Sequence, residues 1–170
     1  NFLNNLAEGH PTILVGLARY LARTDWQVDR QQIAQLFSRG AASILGEGLR
    51  RLLVMVDDAE DRRLLYRLSL VRGVFDPDLA FLVANTHTAL DRPRERMTRL
   101  SGPWLQPQGE ERLLVSPLVR PLALTELAEA ERGSVWNTLA SEIMGRRRKS
   151  VVDVATAVEY LKKARAFDRA

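Results

Sequence analysis

The stretch that decides the fold begins with DDAEDRRLLYRLSLVRG at residues 57–73. Its apolar side chains recur at helical spacing, which predicts an amphipathic helix. They are Leu64, Leu65, Leu68 and Val71. Asp57 and Asp58 stand at the start of this helix, where negative charge complements the helix dipole. Gly73 is predicted to end the helix.

A second helix is predicted where VFDPDLAFLVA follows at residues 74–84. Asp76 is the type of residue that caps a helix, and Pro77 is the type that occupies the first helical position. Three apolar side chains are expected to face inward from this helix. They are Leu79, Leu82 and Val83.

A third helix and a β-hairpin complete the stretch. The helix is predicted over about 92–100, and a Gly-Pro pair at 102–103 breaks it. The hairpin is predicted from strands at 104–106 and 112–115, joined by a turn that contains Pro and Gly. Three short helices followed by a hairpin are the order of a winged helix, so we predict a winged-helix domain at 57–120.

Helical segments flank this domain on both sides. Periodic apolar residues interrupted by glycines predict four short helices in 1–56, which would form a small bundle. A helical hairpin is predicted at 121–170, with Thr125 capping one helix and Ser150 with Asp153 forming a capping box for the next. Such a pair is the unit with which a helical-repeat array begins. The predicted fold class is mainly α: a four-helix bundle, a winged helix with a short β-hairpin wing, and a C-terminal helical pair.

The composition is that of a globular protein in a reducing compartment. The 170 residues are 46% hydrophobic and 27% charged, enough for a core, and the net charge of +4 is too small to identify a nucleic-acid partner. The absence of Cys excludes disulfides and thiolate metal sites. No apolar run approaches the roughly 20 residues of a membrane span, and no signal peptide is visible, so we expect a cytoplasmic protein. The chain begins without Met and is expected to belong to a longer protein.

The sequence contains no group of residues that carries catalysis by itself. It lacks the phosphate-binding pattern GxxxxGK[ST] and the dinucleotide-binding pattern GxGxxG. Its two histidines, His10 and His87, are far apart and lack metal-ligand spacing, so no metal site is predicted. We therefore expect no catalytic residue, no enzymatic activity and no cofactor bound by this chain alone.

Four landmarks resemble the STAND class of signal-transduction ATPases, relatives of the NB-ARC and apoptotic ATPases. GHP at 9–11, with the apolar stretch after it, is similar to their G-x-P-L-A-L motif. RRLLYRLS at 62–69 looks like the start of their winged helix. LSGPWL at 100–105 looks like its third-helix exit and first wing strand. VSPLVR at 115–120 falls where the family carries M-H-D-L-V-R, and the likeness covers about 2–124.

The resemblance implies a regulatory, nucleotide-sensing switch module. In the family a P-loop ATPase domain precedes these parts and binds ATP or ADP. Pro11 would then lie on the adenine side, with His10 beside it, and Ser116 would take the place of the His that contacts the β-phosphate of ADP. These contacts need the ATPase domain, which is the first expected partner. Ser116 lacks the reach and charge of an imidazole, and it is also suited to capping the helix that Pro117 begins.

The first alternative is a winged-helix transcription regulator that binds DNA. Arg92, Arg96 and Arg99 fall at i, i+4 and i+7 on the predicted third helix, beside its apolar stripe. An arginine row in that position is what a helix in the major groove would use. The predicted wing tip carries Glu110 and Glu111, which is a poor surface for phosphates.

The second alternative is a protein-interaction scaffold that binds other domains through the helical tail. The tail also contains RRRK at 146–149, a compact basic cluster between two predicted helices. Such a cluster suits nucleic acid, an acidic protein surface or anionic lipid, and it is also the composition of an ordinary solvated loop.

Overall fold

The structure of the chain is a computed structural model that describes residues 18, 53, 56, 58–102, 104–116 and 119–165. This part of the chain is mainly helical, with a two-stranded antiparallel sheet. Its elements are α1 (Ala59–Ser69), α2 (Pro77–Ala84), α3 (Pro93–Leu100), β1 (Leu105–Pro107), β2 (Leu113–Val115), α4 (Val119–Glu126), α5 (Glu129–Gly145) and α6 (Val151–Arg165). The predicted four-helix bundle at 1–56 lies outside the described residues, apart from three single positions.

Helix α1 is central, because α2, α3, α4 and β2 all contact it. Asp58 caps it by accepting hydrogen bonds from the backbone N–H groups of Glu60 and Asp61 at 2.8 and 3.3 Å. The three leucines of the predicted stripe are fully buried. The helix ends at Ser69, so the prediction that Gly73 ends it is wrong. The next two N–H groups bond three residues back instead of four, which closes the helix before Gly73 turns the chain with a φ of +72°.

Helix α2 begins as predicted, with Asp76 accepting a hydrogen bond from the N–H of Leu79 at 2.8 Å and Pro77 in the first turn. Its buried face differs from the prediction. Leu82 is 38% exposed, because it lies about 200° around the helix from Ala80, which is buried. The buried side chains of this short helix are Ala80, Val83 and Ala84.

The hairpin is short and is tied to the helices at its base. Strand β1 pairs antiparallel with β2, so that Leu105 faces Val115, and Gly109 with a φ of +78° lies in the turn. Phe75, between α1 and α2, exchanges two backbone hydrogen bonds with Leu113, at 2.9 and 2.7 Å. This bridge adds a single position of a third strand to the edge of the hairpin.

Helix α4 packs against α1 and runs across the predicted domain boundary at 120/121. Thr125 lies inside it, and its hydroxyl donates a hydrogen bond to the carbonyl oxygen of Leu122 at 2.9 Å. The prediction that Thr125 caps the next helix is therefore wrong. That helix, α5, begins at Glu129 with Ala128 in the N-cap position.

Helices α5 and α6 pack against each other as the C-terminal pair. Gly133, near the start of α5, lies beside the carbonyl oxygen of Ala164 near the end of α6, so the two helices are antiparallel. The predicted capping box is confirmed. The N–H and hydroxyl of Ser150 each donate to the carboxylate of Asp153 at 2.8 Å, and the N–H of Asp153 donates back to the hydroxyl at 3.1 Å. Within the described ranges, no helix combines the length and the apolar character needed to cross a membrane.

Candidate functional site

Ser116 lies where β2 passes into α4. Its backbone N–H donates to the carbonyl oxygen of Trp104 at 3.0 Å, and its own carbonyl oxygen accepts from the N–H of Val119 at 3.1 Å. The residue is 1% exposed, and its hydroxyl has no hydrogen-bond partner among the described residues. The expected capping of the next helix by this hydroxyl is therefore not seen in the described part of the chain.

Ser116→Ala is expected to leave the free energy of unfolding unchanged, or to raise it by up to about 1–3 kcal/mol, because it removes a buried polar group that lacks a partner. Urea unfolding of the two proteins measures this difference. Ser69→Ala is the matched control. The Ser69 hydroxyl donates to the carbonyl oxygen of Tyr66 at 2.7 Å, so its loss should cost about 0.5–1.5 kcal/mol. A cost above about 1 kcal/mol for Ser116→Ala would contradict the expectation.

Arg96 and Arg99 of α3 lie against the first turn of α1. Arg96 is 7% exposed, and its Nη1 donates to the carboxylates of Asp58 and Asp61 at 2.7 and 2.6 Å. Its Nη2 bonds to Glu60, and Arg99 donates from Nε to Asp61 at 2.7 Å. The hydrogen bond from Arg96 is the main cause that holds the pKa of the Asp58 carboxyl below its usual value. We call these five residues the arginine–carboxylate cluster.

The DNA-binding alternative needs Arg92, Arg96 and Arg99 to be available to DNA. Two of them, Arg96 and Arg99, are instead paired with carboxylates of α1. Arg96 faces the protein, and the Arg99 side chain is 48% exposed and hydrogen-bonded to α1. Arg92 stands just before α3 with a φ of +46°, and its side chain lies 3.5 Å from the carboxylate of Asp91 and 3.6 Å from that of Glu95. The three arginines therefore do not form a free cationic row, and the contacts do not favour the DNA-binding alternative.

A second group of charges joins α1 to α5. Arg67 is fully buried, and its Nε donates to Glu131 at 2.6 Å. Arg63 donates from Nε and Nη2 to the two oxygens of the same carboxylate at 2.7 and 2.8 Å. The remaining Arg67 nitrogens donate to the carbonyl oxygens of Ala84 and Thr88 at 2.8 and 2.9 Å. We call Arg63, Arg67 and Glu131 the buried triad.

The buried triad keeps its carboxylate charged. Burial by itself raises the pKa of Glu131, but the hydrogen bonds and charges of Arg63 and Arg67 outweigh it and hold the pKa below its usual value. Sequence reasoning did not single out these residues. The sequence did contain an indication of the buried triad. Arg67 is next to Leu68, which belongs to the apolar stripe of α1, and a charged side chain on a buried face needs a partner of opposite charge.

The other predicted site residues lie apart from these two groups. His10 and Pro11 fall outside the described residues, so their role in nucleotide binding stays a prediction. The basic cluster at 146–149 forms the exposed connection between α5 and α6. Where the structure describes the chain, no three His, Asp or Glu side chains are grouped so that they could hold a metal ion. Chemically, the contacts found here neutralise buried charge and fix helices relative to one another.

Comparisons of the chain with protein-family models, with curated proteins and with solved structures find no match. The assignment to the STAND class therefore stays a prediction based on the four sequence landmarks.

Proposed function

We propose that this chain is the regulatory, nucleotide-sensing lever of a STAND-type signalling ATPase and has no catalytic activity of its own. In this proposal a P-loop domain outside the chain binds ATP or ADP. The bundle at 1–56 and the winged helix at 57–120 pack against it in the ADP state and swing away in the ATP state. A ligand shifts such an equilibrium only through contacts that differ between the two states.

The observation that carries the proposal is the pairing of charges on both sides of α1. The arginine–carboxylate cluster joins α1 to α3, and the buried triad joins α1 to α5. A lever transmits motion only if its parts move together, and these contacts link the helices in that way. The same contacts keep Arg96 and Arg99 engaged within the chain, which favours a mechanical role over DNA binding.

The order of elements also supports a winged-helix lever. A helix, the bridge at Phe75, two further helices and a hairpin follow one another along the chain. Ser116 stands at the exit of this unit, where the resemblance places contact with nucleotide, and its buried hydroxyl has no partner in the described part. Because Ser116 is 1% exposed, this hydroxyl can donate to a phosphate oxygen only in a state in which the residues that cover it have moved.

The proposal is tested by hydrogen exchange on the natural polypeptide that contains this chain, with ADP or with a non-hydrolysable ATP analogue. We expect amide exchange in the hairpin at 104–116 to differ between the two nucleotides. Exchange in the buried turns of α1 and α5 should be the same in both, because those helices move as a unit. Identical exchange throughout 58–165 in both nucleotides would contradict the proposal.

The 170-residue chain by itself provides the matched control. It lacks a P-loop, so calorimetric titration with ADP should detect no binding, and the chain should hydrolyse no ATP. Micromolar ADP binding by this chain would show that the nucleotide site is built differently from the one proposed.

A further inference from the structure

The connection between α5 and α6 is a cationic tip. Arg146, Arg147, Arg148 and Lys149 follow one another there, and all four are exposed. Arg146 lies 3.7 Å from the carboxylate of Glu142 on α5. The other three cations form no ion pair with any residue that the structure describes. We call the segment 146–152 the basic tip.

Two apolar side chains stand directly beside these cations. Val151 is 87% exposed and Val152 is 72% exposed, more than any other large hydrophobic residue in the described ranges. Met144, just before the cations, is 48% exposed. Scattered surface hydrophobics are ordinary, whereas a contiguous exposed apolar patch rimmed by polar residues is typical of an interaction surface.

The valines are held in place rather than lying in a loose loop. They occupy the first two positions of α6, and the capping box of Ser150 and Asp153 fixes that helix start. The Asp153 carboxylate is used in this cap, and hydrogen bonds from the N–H and hydroxyl of Ser150 hold its pKa below the usual value. The segment 142–153 therefore carries four cations and two carboxylates, Glu142 and Asp153, each engaged within the protein.

We propose that the basic tip docks on the surface of an anionic lipid bilayer. The arginines and the lysine would face the headgroups, and Val151 and Val152 would enter the boundary between headgroups and acyl chains. Cations are attracted to the negative surface of such a bilayer, while apolar side chains gain by leaving water at the same boundary. A nucleic acid would pair with the cations but would leave two exposed valines in water, so lipid suits the whole tip better.

Sedimentation of the 170-residue chain with vesicles tests the proposal. Vesicles of phosphatidylcholine alone are compared with vesicles that also contain phosphatidylserine, and we expect binding to the second kind only. The double change Arg147→Ala, Arg148→Ala should lower the partition coefficient about 25-fold, since each cation near the surface contributes about fivefold. Val151→Ser with Val152→Ser should lower it several-fold at unchanged charge.

The matched control removes the same charge elsewhere. Arg112 in the hairpin turn and Arg165 at the far end of α6 are both exposed, and their double change to Ala should leave binding within about threefold of the original chain. Circular dichroism checks that each variant keeps its helices. Equal binding to both vesicle types, or equal losses in tip and control variants, would overturn the proposal. Binding to duplex DNA that needs Arg147 and Arg148 but is unaffected by the valine changes would also overturn it, in favour of a nucleic acid.

Discussion

Glu131→Ala is expected to lower the free energy of unfolding by about 3–5 kcal/mol. The change leaves the fully buried Arg67 without its carboxylate, and removing one partner of a buried pair leaves an uncompensated charge in the core. Arg63 contributes less to this cost, because its side chain is 38% exposed and can turn to water. Urea unfolding monitored by circular dichroism measures the difference.

The control for this change is Glu159→Ala. Glu159 pairs with Arg72 at the surface, where both side chains are about half exposed, and exposed pairs contribute about 0–1 kcal/mol. The double change Arg67→Met, Glu131→Leu should recover part of the loss, because apolar side chains of similar size can replace a buried pair, although the carbonyl oxygens of Ala84 and Thr88 lose their donors. Equal, small costs for Glu131→Ala and Glu159→Ala would refute the structural importance of the buried triad.

The pH dependence of stability in the original chain and in Glu131→Gln provides a second measurement. The folded-state pKa of Glu131 is lowered, so its contribution to stability is fully present above the unfolded-state pKa near 4.5 and is lost as the pH falls through the lower folded-state value. The original chain should therefore lose more stability than Glu131→Gln when the pH falls below about 4.5. A parallel loss in both proteins would mean that Glu131 titrates alike in the folded and unfolded states.

The second large effect is expected at α3. Arg96→Ala should lower the free energy of unfolding by about 2–4 kcal/mol, because Asp61, which is 3% exposed, would keep only Arg99 as a partner. The backbone oxygen of Asp91 would also lose the donor that lies 2.5 Å away. Thermal and urea unfolding both report this change.

Arg92→Ala is the matched control for Arg96→Ala. Arg92 is exposed and its ion pairs are long, so its loss should change stability by no more than about 0.5 kcal/mol. If Arg96→Ala instead left stability intact and abolished binding to duplex DNA, the DNA-binding alternative would replace the lever proposal. A mobility-shift titration at two salt concentrations measures that binding.

The starts of α1, α2 and α6 were predictable because each depends on a few neighbouring residues, whereas the start of α5 after Ala128, without a side-chain cap, was not. Asp58, Asp76 and Ser150 all cap helices, and each bonds to N–H groups or side chains two or three positions away. The turn after the second strand also depends on neighbouring residues, because the carbonyl oxygen of Ser116 accepts a hydrogen bond from the N–H of Val119. Such short-range chemistry is readable without knowing what the helix packs against.

The packing partners were not predictable in this way. In α2 the small Ala80 is buried, whereas the larger Leu82 is 38% exposed. The position of the neighbouring helices, and not the hydrophobicity of the side chain, decides which face of α2 is buried. Arg96 could be recognised as one of a helical row, but the carboxylates that engage it lie 35 to 38 residues earlier. Spacing within one helix therefore indicates which side chains share a face and leaves open what they meet.

The buried guanidinium of Arg67 also governs when the chain can fold during its synthesis. The carboxylate that neutralises it is made 64 residues later, so the core around α1 cannot close earlier without enclosing a lone charge. We therefore expect a nascent chain that ends before α5 to leave Arg67 in contact with water. In this protein one ion pair makes the synthesis of α5 a condition for burying Arg67 with its charge neutralised.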